Sequence, residues 1–136
     1  MRLSNLADYA VVIMSAAARK GDGARLSATV LAEATGIPLP TTQKLLGKLA
    51  SAGLFESARG GGGGFVLTRS PAQISLADVV EAVEGPIAMT SCVDEGRHDC
   101  ALEGSCQVRP HWGVVNTAIR GALSEVSLAS LSGAIQ

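Results

Sequence analysis

The first third of the chain carries apolar residues at helical spacing. Residues 4–19 are predicted to form an amphipathic helix that ends at Gly21-Asp22-Gly23, since apolar side chains recur every three or four positions at Leu6, Ala10, Ile13, Met14 and Ala17. A second helix is predicted from Ser27 to Thr35, and Gly36 ends it. A turn over residues 37–40 then leads into a third helix.

The third predicted helix runs from Pro40 to Ala52, with Pro40 at its first position. On a helical wheel one side is apolar, with Leu45, Leu46 and Leu49, and the other is polar, with Gln43, Lys44, Gly47, Lys48 and Ser51. Like charges at Lys44 and Lys48 repel by roughly 0.2–0.5 kcal/mol in an isolated helix. A helix face that binds phosphates would explain why Lys44 and Lys48 lie side by side. The alternative is that the two lysines lie on an ordinary solvated face of the helix.

A glycine-rich hairpin is predicted next. The segments Leu54–Ala58 and Phe65–Arg69 resemble two antiparallel strands, joined by Arg59 and the run Gly60–Gly64. A flexible linker is the alternative, but linkers seldom separate two strand-like segments that helices flank closely. Helix, turn, helix and hairpin follow in the order of a winged helix-turn-helix, so the fold is predicted to be mainly α with a small β-hairpin.

The rear of the chain is predicted to hold two more helices. Ser75 and Asp78 form a capping-box-like start for a helix that reaches about Glu84. A long C-terminal helix follows Pro110, with apolar residues at steps of three and four: Trp112, Val115, Ile119, Ala122 and Val126. Such a heptad-like seam is typical of a helix that pairs with a copy of itself, although an ordinary core stripe gives the same pattern.

The predicted organisation therefore has three parts. Residues 1–84 form the winged head, residues 85–111 a cysteine-containing loop, and residues 112–136 a dimerisation helix with its tail. The length of 136 residues suits one compact unit with an appendage.

Charge is divided unevenly along the chain. The net charge is −1, yet residues 1–70 carry eight Lys and Arg against four Asp and Glu, whereas residues 71–136 carry three against eight. The front half thus has a local positive excess that suits a phosphate-binding face. Aromatic residues make up 3% of the chain, which argues against binding of single strands by base stacking. No stretch reaches the roughly 18–20 apolar residues of a membrane span, so no membrane partner is expected.

All three cysteines lie within a short segment that also holds both histidines. Cys92, Cys100 and Cys106 are the cysteines, and His98 and His111 the histidines. An odd number of cysteines disfavours a secreted disulfide framework and fits a reducing cytoplasm. Soft ligands crowded in this way indicate a metal ion or an iron–sulfur cluster.

In combination these motifs resemble a known family. The N-terminal MRLSNLADYAV, the helix-turn IPLPTTQKLLGKLASAGLFES, the wing RGGGGGF, the helix ISLADVVEAVEG and the C-x7-C-x5-C spacing are similar to bacterial iron–sulfur-sensing winged-helix regulators, which include the IscR-type and NsrR-type transcription factors. The tail SLASL looks most like the branch associated with the SUF cluster-assembly operon.

The resemblance implies a homodimer that reads a pseudo-palindromic operator in double-stranded DNA. It places Thr41, Gln43 and Lys44 at the base-reading end of the third helix, with Lys44 and Lys48 able to neutralise phosphates. It places Arg59 and the glycine wing, including Gly61 and Gly62, in the neighbouring minor groove.

The resemblance also implies that Cys92, Cys100 and Cys106 bind an iron–sulfur cluster, either 2Fe-2S or 4Fe-4S. In IscR-type proteins a histidine follows three residues after the last cysteine, but here that position is Arg109, which cannot serve. Three other residues are candidate fourth ligands. His98 and His111 are two of them, and Asp8 matches an acidic residue that reaches the cluster from the partner subunit in the NsrR-type branch.

The leading hypothesis is a cytoplasmic transcriptional regulator, and not an enzyme, that senses cluster status and controls SUF or ISC cluster-assembly genes. Alternatives within the same fold are a repressor that responds to nitric oxide or redox state, and a winged-helix protein with structural zinc. An enzyme or electron carrier lacks support, since the sequence has no phosphate-binding motif and no catalytic constellation.

Overall fold

The computed structural model describes residues 2–21, 23–58, 63–88 and 107–134. Within them the helices are α1 (Asn5–Arg19), α2 (Ala28–Thr35), α3 (Leu39–Ser51), α4 (Leu76–Glu84) and α5 (Arg109–Ser124). The strands are β1 (Phe55–Ser57) and β2 (Phe65–Leu67), a short 3-10 turn spans Pro71–Gln73, and a wider π-type turn spans Ser130–Ala134. The expected mainly α architecture with one hairpin is confirmed.

Side-chain caps fix where three of the helices begin. Ser4 accepts a hydrogen bond from the Ala7 N–H at 3.1 Å, and Ser27 accepts one from the Val30 N–H at 3.1 Å. The predicted capping box is present: Ser75 Oγ accepts from the Asp78 N–H at 3.1 Å, and Asp78 accepts from the Ser75 N–H at 2.9 Å. Caps of this kind stabilise a helix by about 1 kcal/mol each, so local sequence defines these boundaries.

The helix α3 begins one residue earlier than expected. Leu39 is its first residue, Pro40 its second, and Ser51 its last. The Pro38 carbonyl accepts hydrogen bonds from the Thr42 N–H at 3.0 Å and from the Thr42 hydroxyl at 3.1 Å. Because these bonds close the first turn on Pro38, Leu39 rather than Pro40 opens the helix.

The core of the head forms where α1 packs against α2, α3 and α4. The predicted apolar face of α3 is buried, with Leu45 and Leu49 fully covered and Leu46 1% exposed. Further core residues come from α1, α2, β1, α4 and the chain next to them: Ile13, Met14, Leu31, Leu54, Phe55, Ile74 and Val79. Burying each large side chain contributes roughly 1.5–3 kcal/mol, which holds α3 rigidly with its other side outward.

The hairpin is shorter than predicted but gains a third segment. Its strands pair antiparallel in the register Phe55↔Leu67 and Ser57↔Phe65, so residues 54, 58, 68 and 69 lie outside the ladder. Leu26 and Phe65 exchange two backbone hydrogen bonds, at 2.8 and 2.7 Å. The rings of Phe55 and Phe65 meet edge to face at 6.3 Å. The end of the hairpin next to its glycine loop is thereby fixed to the chain just before α2.

Gly64 makes that close approach possible. Its φ is +96°, and a Cβ built there would lie 2.8 Å from the Leu26 carbonyl oxygen. Both the backbone conformation and the space therefore require glycine at this position.

The C-terminal helix also differs from expectation. It begins at Arg109 and ends at Ser124, so the predicted seam residue Val126 lies beyond it. There the chain turns back: the Val126 carbonyl accepts from the Leu76 N–H at 2.8 Å, and Leu128 N–H donates to the Ile74 carbonyl at 2.7 Å. Leu128 is 1% exposed in the core of the head. Burial of Leu128 and these backbone bonds end the helix, and the tail packs on the head.

No described helix combines the length and apolar character needed to cross a bilayer.

Candidate nucleic-acid interface

The polar face of α3 is turned to solvent. Gln43 and Lys44 are exposed and Lys48 is half-buried. Within the described part of the chain these three side chains make no hydrogen bond or ion pair. Two cations and an amide therefore project from a helix whose opposite side is anchored in the core. Such a face can donate to phosphate oxygens and to base edges.

An open groove of about 550 Å³ runs between this face and α4. It is lined by the following residues of the two helices: Lys44, Gly47, Lys48, Ser51, Ala52, Glu81 and Ala82. The lysines form the α3 side, and Glu81 is the acidic group across from them. The sequence predicted the lysine face, but it did not predict that α4 would border it.

Gly47 lies in the middle of α3 on its exposed side. A Cβ there would meet no atom within 4 Å, and its φ lies outside the left-handed region. Glycine in a helix interior is less favourable than alanine by about 1 kcal/mol. The fold itself therefore gives no reason for glycine here, whereas close approach of a ligand to the helix backbone does.

The two neighbouring threonines at the start of α3 differ in role. Thr41, the predicted base-contacting residue, is half-buried, whereas Thr42 is fully buried. The Thr42 hydroxyl donates to the carbonyls of Pro38 and Ile37, at 3.1 and 3.4 Å. Thr42 therefore closes the turn before α3, a role that its position in the sequence did not reveal.

The predicted wing residues Arg59, Gly61 and Gly62 lie outside the described residues. The base of the wing is described: Ala58 N–H donates to the Gly64 carbonyl at 2.9 Å, which closes the hairpin.

Asp8 lies in the first turn of α1, where helix capping or a surface charge is the alternative to a ligand role. Ser4 is the residue that caps this helix, and Asp8 is exposed. Its carboxylate makes no hydrogen bond or ion pair with another residue that the structure describes. His111 is likewise exposed, in the first turn of α5.

Cys92, Cys100, Cys106 and His98 lie outside the described residues. Among residues 2–21, 23–58, 63–88 and 107–134, no group of three or more His, Cys, Asp or Glu side chains could hold a metal ion. The donor chemistry of the cysteine segment fits an iron–sulfur cluster, since thiolate is the usual ligand of such clusters.

Glu81 of α4 connects three parts of the molecule, a feature that the sequence did not indicate. Its carboxylate accepts from Arg120 Nη2 at 2.8 Å and Arg120 Nε at 3.3 Å on α5, and from the Ile87 N–H at 3.0 Å. The Ile87 carbonyl in turn accepts from the Asn116 amide at 2.9 Å. The carboxylate hydrogen bond raises the pKa of Arg120 above its ordinary value. Partners up to 39 residues apart leave no local signal for this contact.

Known proteins resemble this chain over almost its full length. Residues 3–134 match the Rrf2 family, described as an iron-dependent transcriptional regulator. The HTH-type transcriptional regulator IscR of Photorhabdus laumondii is 32% identical over 131 residues, which is 96% of this chain and 79% of that protein.

Solved structures show the same fold. CymR, the global cysteine regulator of B. subtilis, superposes with a TM-score of 0.73 at 26% identity and covers 100% of this chain and 99% of its own. The IscR of T. potens superposes with a TM-score of 0.73 at 24% identity over 100% of this chain and 89% of its own. The polar face of α3, the paired hairpin and these matches together show that the chain belongs to the Rrf2 family of winged helix-turn-helix transcriptional regulators.

Proposed function

We propose that this protein is a DNA-binding regulator whose operator affinity depends on an iron–sulfur cluster held by Cys92, Cys100 and Cys106. Cluster-assembly genes of the SUF or ISC type are the proposed targets, and a reducing cytoplasm suits the thiolate ligands. The observation that carries DNA binding is the free polar face of α3, with Gln43 and Lys44 exposed above a buried leucine face.

Gln43 and Thr41 are assigned to base edges in the major groove, and Lys44 and Lys48 to phosphates. A glutamine amide can bond adenine at N6 and N7, while a lysine ammonium neutralises charge without reading sequence. Arg59 with Gly61 and Gly62 is assigned to the adjacent minor groove, because the end of the hairpin next to its glycine loop is fixed beside Leu26, just before α2.

A homodimer is proposed to place two heads on a pseudo-palindromic site. The support is the predicted seam of α5, where Val115 is 38% exposed and Ala122 is also exposed in the single chain. Apolar side chains spaced along one side of a helix are stabilised when a second copy covers them. The α3 helices of the two subunits, here called the recognition helices, would then enter successive major grooves of the DNA.

Asp8 is the proposed fourth ligand, reaching the cluster from the other subunit. Its support is a carboxylate that is exposed and does not cap its own helix. His111, exposed at the start of α5, is the second candidate, and His98 the third. Gain, loss or oxidation of such a cluster would report the supply of iron or the presence of an oxidant. A carboxylate binds iron more weakly than a thiolate, so an aspartate ligand would be displaced from the cluster more easily.

The test is anaerobic purification followed by visible absorption and quantification of iron, sulfide and zinc. Asp8→Ala is expected to lose iron and sulfide relative to wild type. The control Glu33→Ala, which removes an exposed carboxylate from α2, is expected to retain both.

Three other outcomes are informative. A cluster retained in Asp8→Ala would move the ligand to His111 or His98. A cluster that reacts with nitric oxide but is insensitive to iron supply would favour the nitric-oxide-responsive repressor. Zinc without iron or sulfide would contradict the proposal and make the cysteine segment a structural zinc site.

A further inference from the structure

The end of α4 is the place where the cysteine segment meets the helices of the molecule. Ile87 begins the chain that leads to Cys92, five positions later. Its N–H donates to Glu81 and its carbonyl accepts from Asn116, so both polar groups of its backbone are held. The entry to the cysteine segment is therefore fixed between α4 and α5.

The same carboxylate also fixes α5. Arg120 donates to both oxygens of Glu81 with two nitrogens of its guanidinium, a paired geometry that restricts orientation as well as distance. The Glu81 side chain is 21% exposed and that of Arg120 53%. Movement of α5 along or away from α4 must break these bonds, and it would leave a partly buried carboxylate without its cation.

Glu81 also borders the DNA-binding face. It lines the groove that contains Lys44 and Lys48 of α3. The neighbouring residues Val79 and Val80 are buried in the head, 1% and 2% exposed. A change at Glu81 therefore reaches the recognition helix through one rigidly packed helix.

We propose that Glu81 is the positioning residue that couples the cysteine segment to the DNA-binding face. This inference rests on the proposed function, in which ligand binding at Cys92 alters the chain beyond Ile87. When that chain shifts, its hydrogen bond from Ile87 displaces the Glu81 carboxylate, which also binds Arg120. The packing of α5 and the groove beside Lys44 and Lys48 therefore change together. In this assignment Glu81 contacts neither a DNA base nor the cluster, whether or not the cluster is bound.

The test uses the full-length protein with Glu81→Gln, which keeps the size of the side chain and removes its charge. Arg120→Gln removes the other partner from a largely exposed position, where folding is not at risk. Glu33→Gln on α2 is the matched control for loss of one exposed carboxylate. Two readouts are needed: amide hydrogen exchange in cluster-free protein, and operator Kd with and without cluster under anaerobic conditions.

Glu81→Gln is expected to speed exchange at the Ile87 amide by about tenfold or more, because a neutral amide oxygen accepts a weaker hydrogen bond than the carboxylate. Arg120→Gln leaves the hydrogen bond between Ile87 and Glu81 in place and is expected to speed exchange there less. The ratio of cluster-free to cluster-bound operator Kd is expected to fall by about fivefold or more toward one, because that ratio measures the coupling. Iron and sulfide content is expected to match wild type. The double variant is expected to lower the Kd ratio no further than Glu81→Gln alone, since both substitutions remove the ion pair between Glu81 and Arg120.

A ratio of cluster-free to cluster-bound operator Kd that stays at the wild-type value in Glu81→Gln would overturn the inference. Unchanged exchange at the Ile87 amide in Glu81→Gln would overturn it as well. Failure of the proposed function has a different signature, because wild type itself would then bind operator equally with and without iron and sulfide. In that case the coupling role falls as well, and the exchange data show whether Glu81 still holds Ile87 for a purely structural purpose.

Discussion

The head and α5 carry the same helical periodicity of apolar residues but bury it differently. In the head, Leu45 and Leu49 of α3 are fully buried, because other helices of the head pack on that side of α3. On α5, Val115 and Ala122 of the seam stay exposed in the single chain, and Trp112 and Ile119 are only half-buried. Periodicity therefore shows which side of a helix needs a partner. It does not show whether that partner lies in the same chain.

The polar sides of the two helices differ as well. The polar side of α5 is occupied internally, with Arg120 and Asn116 bonded to Glu81 and Ile87. The polar side of α3 keeps Gln43 and Lys44 exposed. α3 thus has a buried apolar side and an exposed polar one. α5 has polar side chains that bond within the chain and an apolar side that is only partly covered. The first arrangement suits DNA, and the second suits another copy of the chain.

Replacing a core residue of the head is expected to have the largest effect on stability. Leu45→Ala should lower the free energy of unfolding by about 2–5 kcal/mol, since a fully buried leucine leaves a cavity. Leu3→Ala, at a position that is 46% exposed, is the matched truncation and should cost far less. Urea unfolding measures both, and equal losses would contradict the difference in burial.

Gly64→Ala is expected to have the second-largest effect on stability. It should lower the free energy of unfolding by about 1–3 kcal/mol, because the left-handed backbone at this position disfavours a side chain. The added Cβ would also press on the Leu26 carbonyl oxygen. Gly63→Ala is the control, since its φ is +63° but no atom lies within 4 Å. Thermal unfolding should show the larger loss for Gly64→Ala. Equal losses would mean that the contact with Leu26 is unimportant.

The exposed seam of α5 is tested by Val115→Glu. A charge placed in a helix-pairing seam should raise the dimer dissociation constant at least tenfold, or about 1.4 kcal/mol. Thr117→Glu adds the same charge about 160° away around the helix, at an exposed position. Sedimentation equilibrium distinguishes them. Dimers that survive Val115→Glu unchanged would place the interface elsewhere.

Much of the fold could be predicted because its signals are local. Ser4, Ser27 and Ser75 cap helices within three residues, and Gly36 adopts φ +80° at the end of α2. The faces of α3 followed from spacing alone. For the candidate site, the sequence predicted the lysine face and the cysteine segment. In the described residues the two lysines of α3 make no hydrogen bond or ion pair, and the three cysteines lie outside those residues.

The remaining features depend on residues that are far apart in the chain. Leu26 pairs with Phe65, and Ser75 pairs with Ser127, through backbone groups that carry no residue-specific signal. The end of α5 was placed too late because Val126 continues the apolar spacing, whereas burial of Leu128 in the head turns the chain. The sequence did not indicate a role for Glu81, because only the packing of α5 against α4 brings Arg120 to its carboxylate.

Gly47→Ala is expected to give the smallest change in stability and the opposite sign. Alanine should stabilise α3 by about 1 kcal/mol, because the added Cβ has open space around it. Operator affinity is expected to fall if DNA approaches the helix backbone here. Gly121→Ala on exposed α5 is the control, with similar stabilisation and unchanged affinity per dimer. Unchanged operator affinity in Gly47→Ala would show that Gly47 does not face DNA.

The central claim, that cluster state sets operator affinity through this fold, is tested most directly by one anaerobic measurement. Operator Kd is determined by fluorescence anisotropy for the wild-type protein with its cluster and after removal of the cluster, at the same salt concentration. The account predicts that the two values differ by about fivefold or more, in the range of typical allosteric coupling. Equal values, with cluster content verified in each sample, would contradict it.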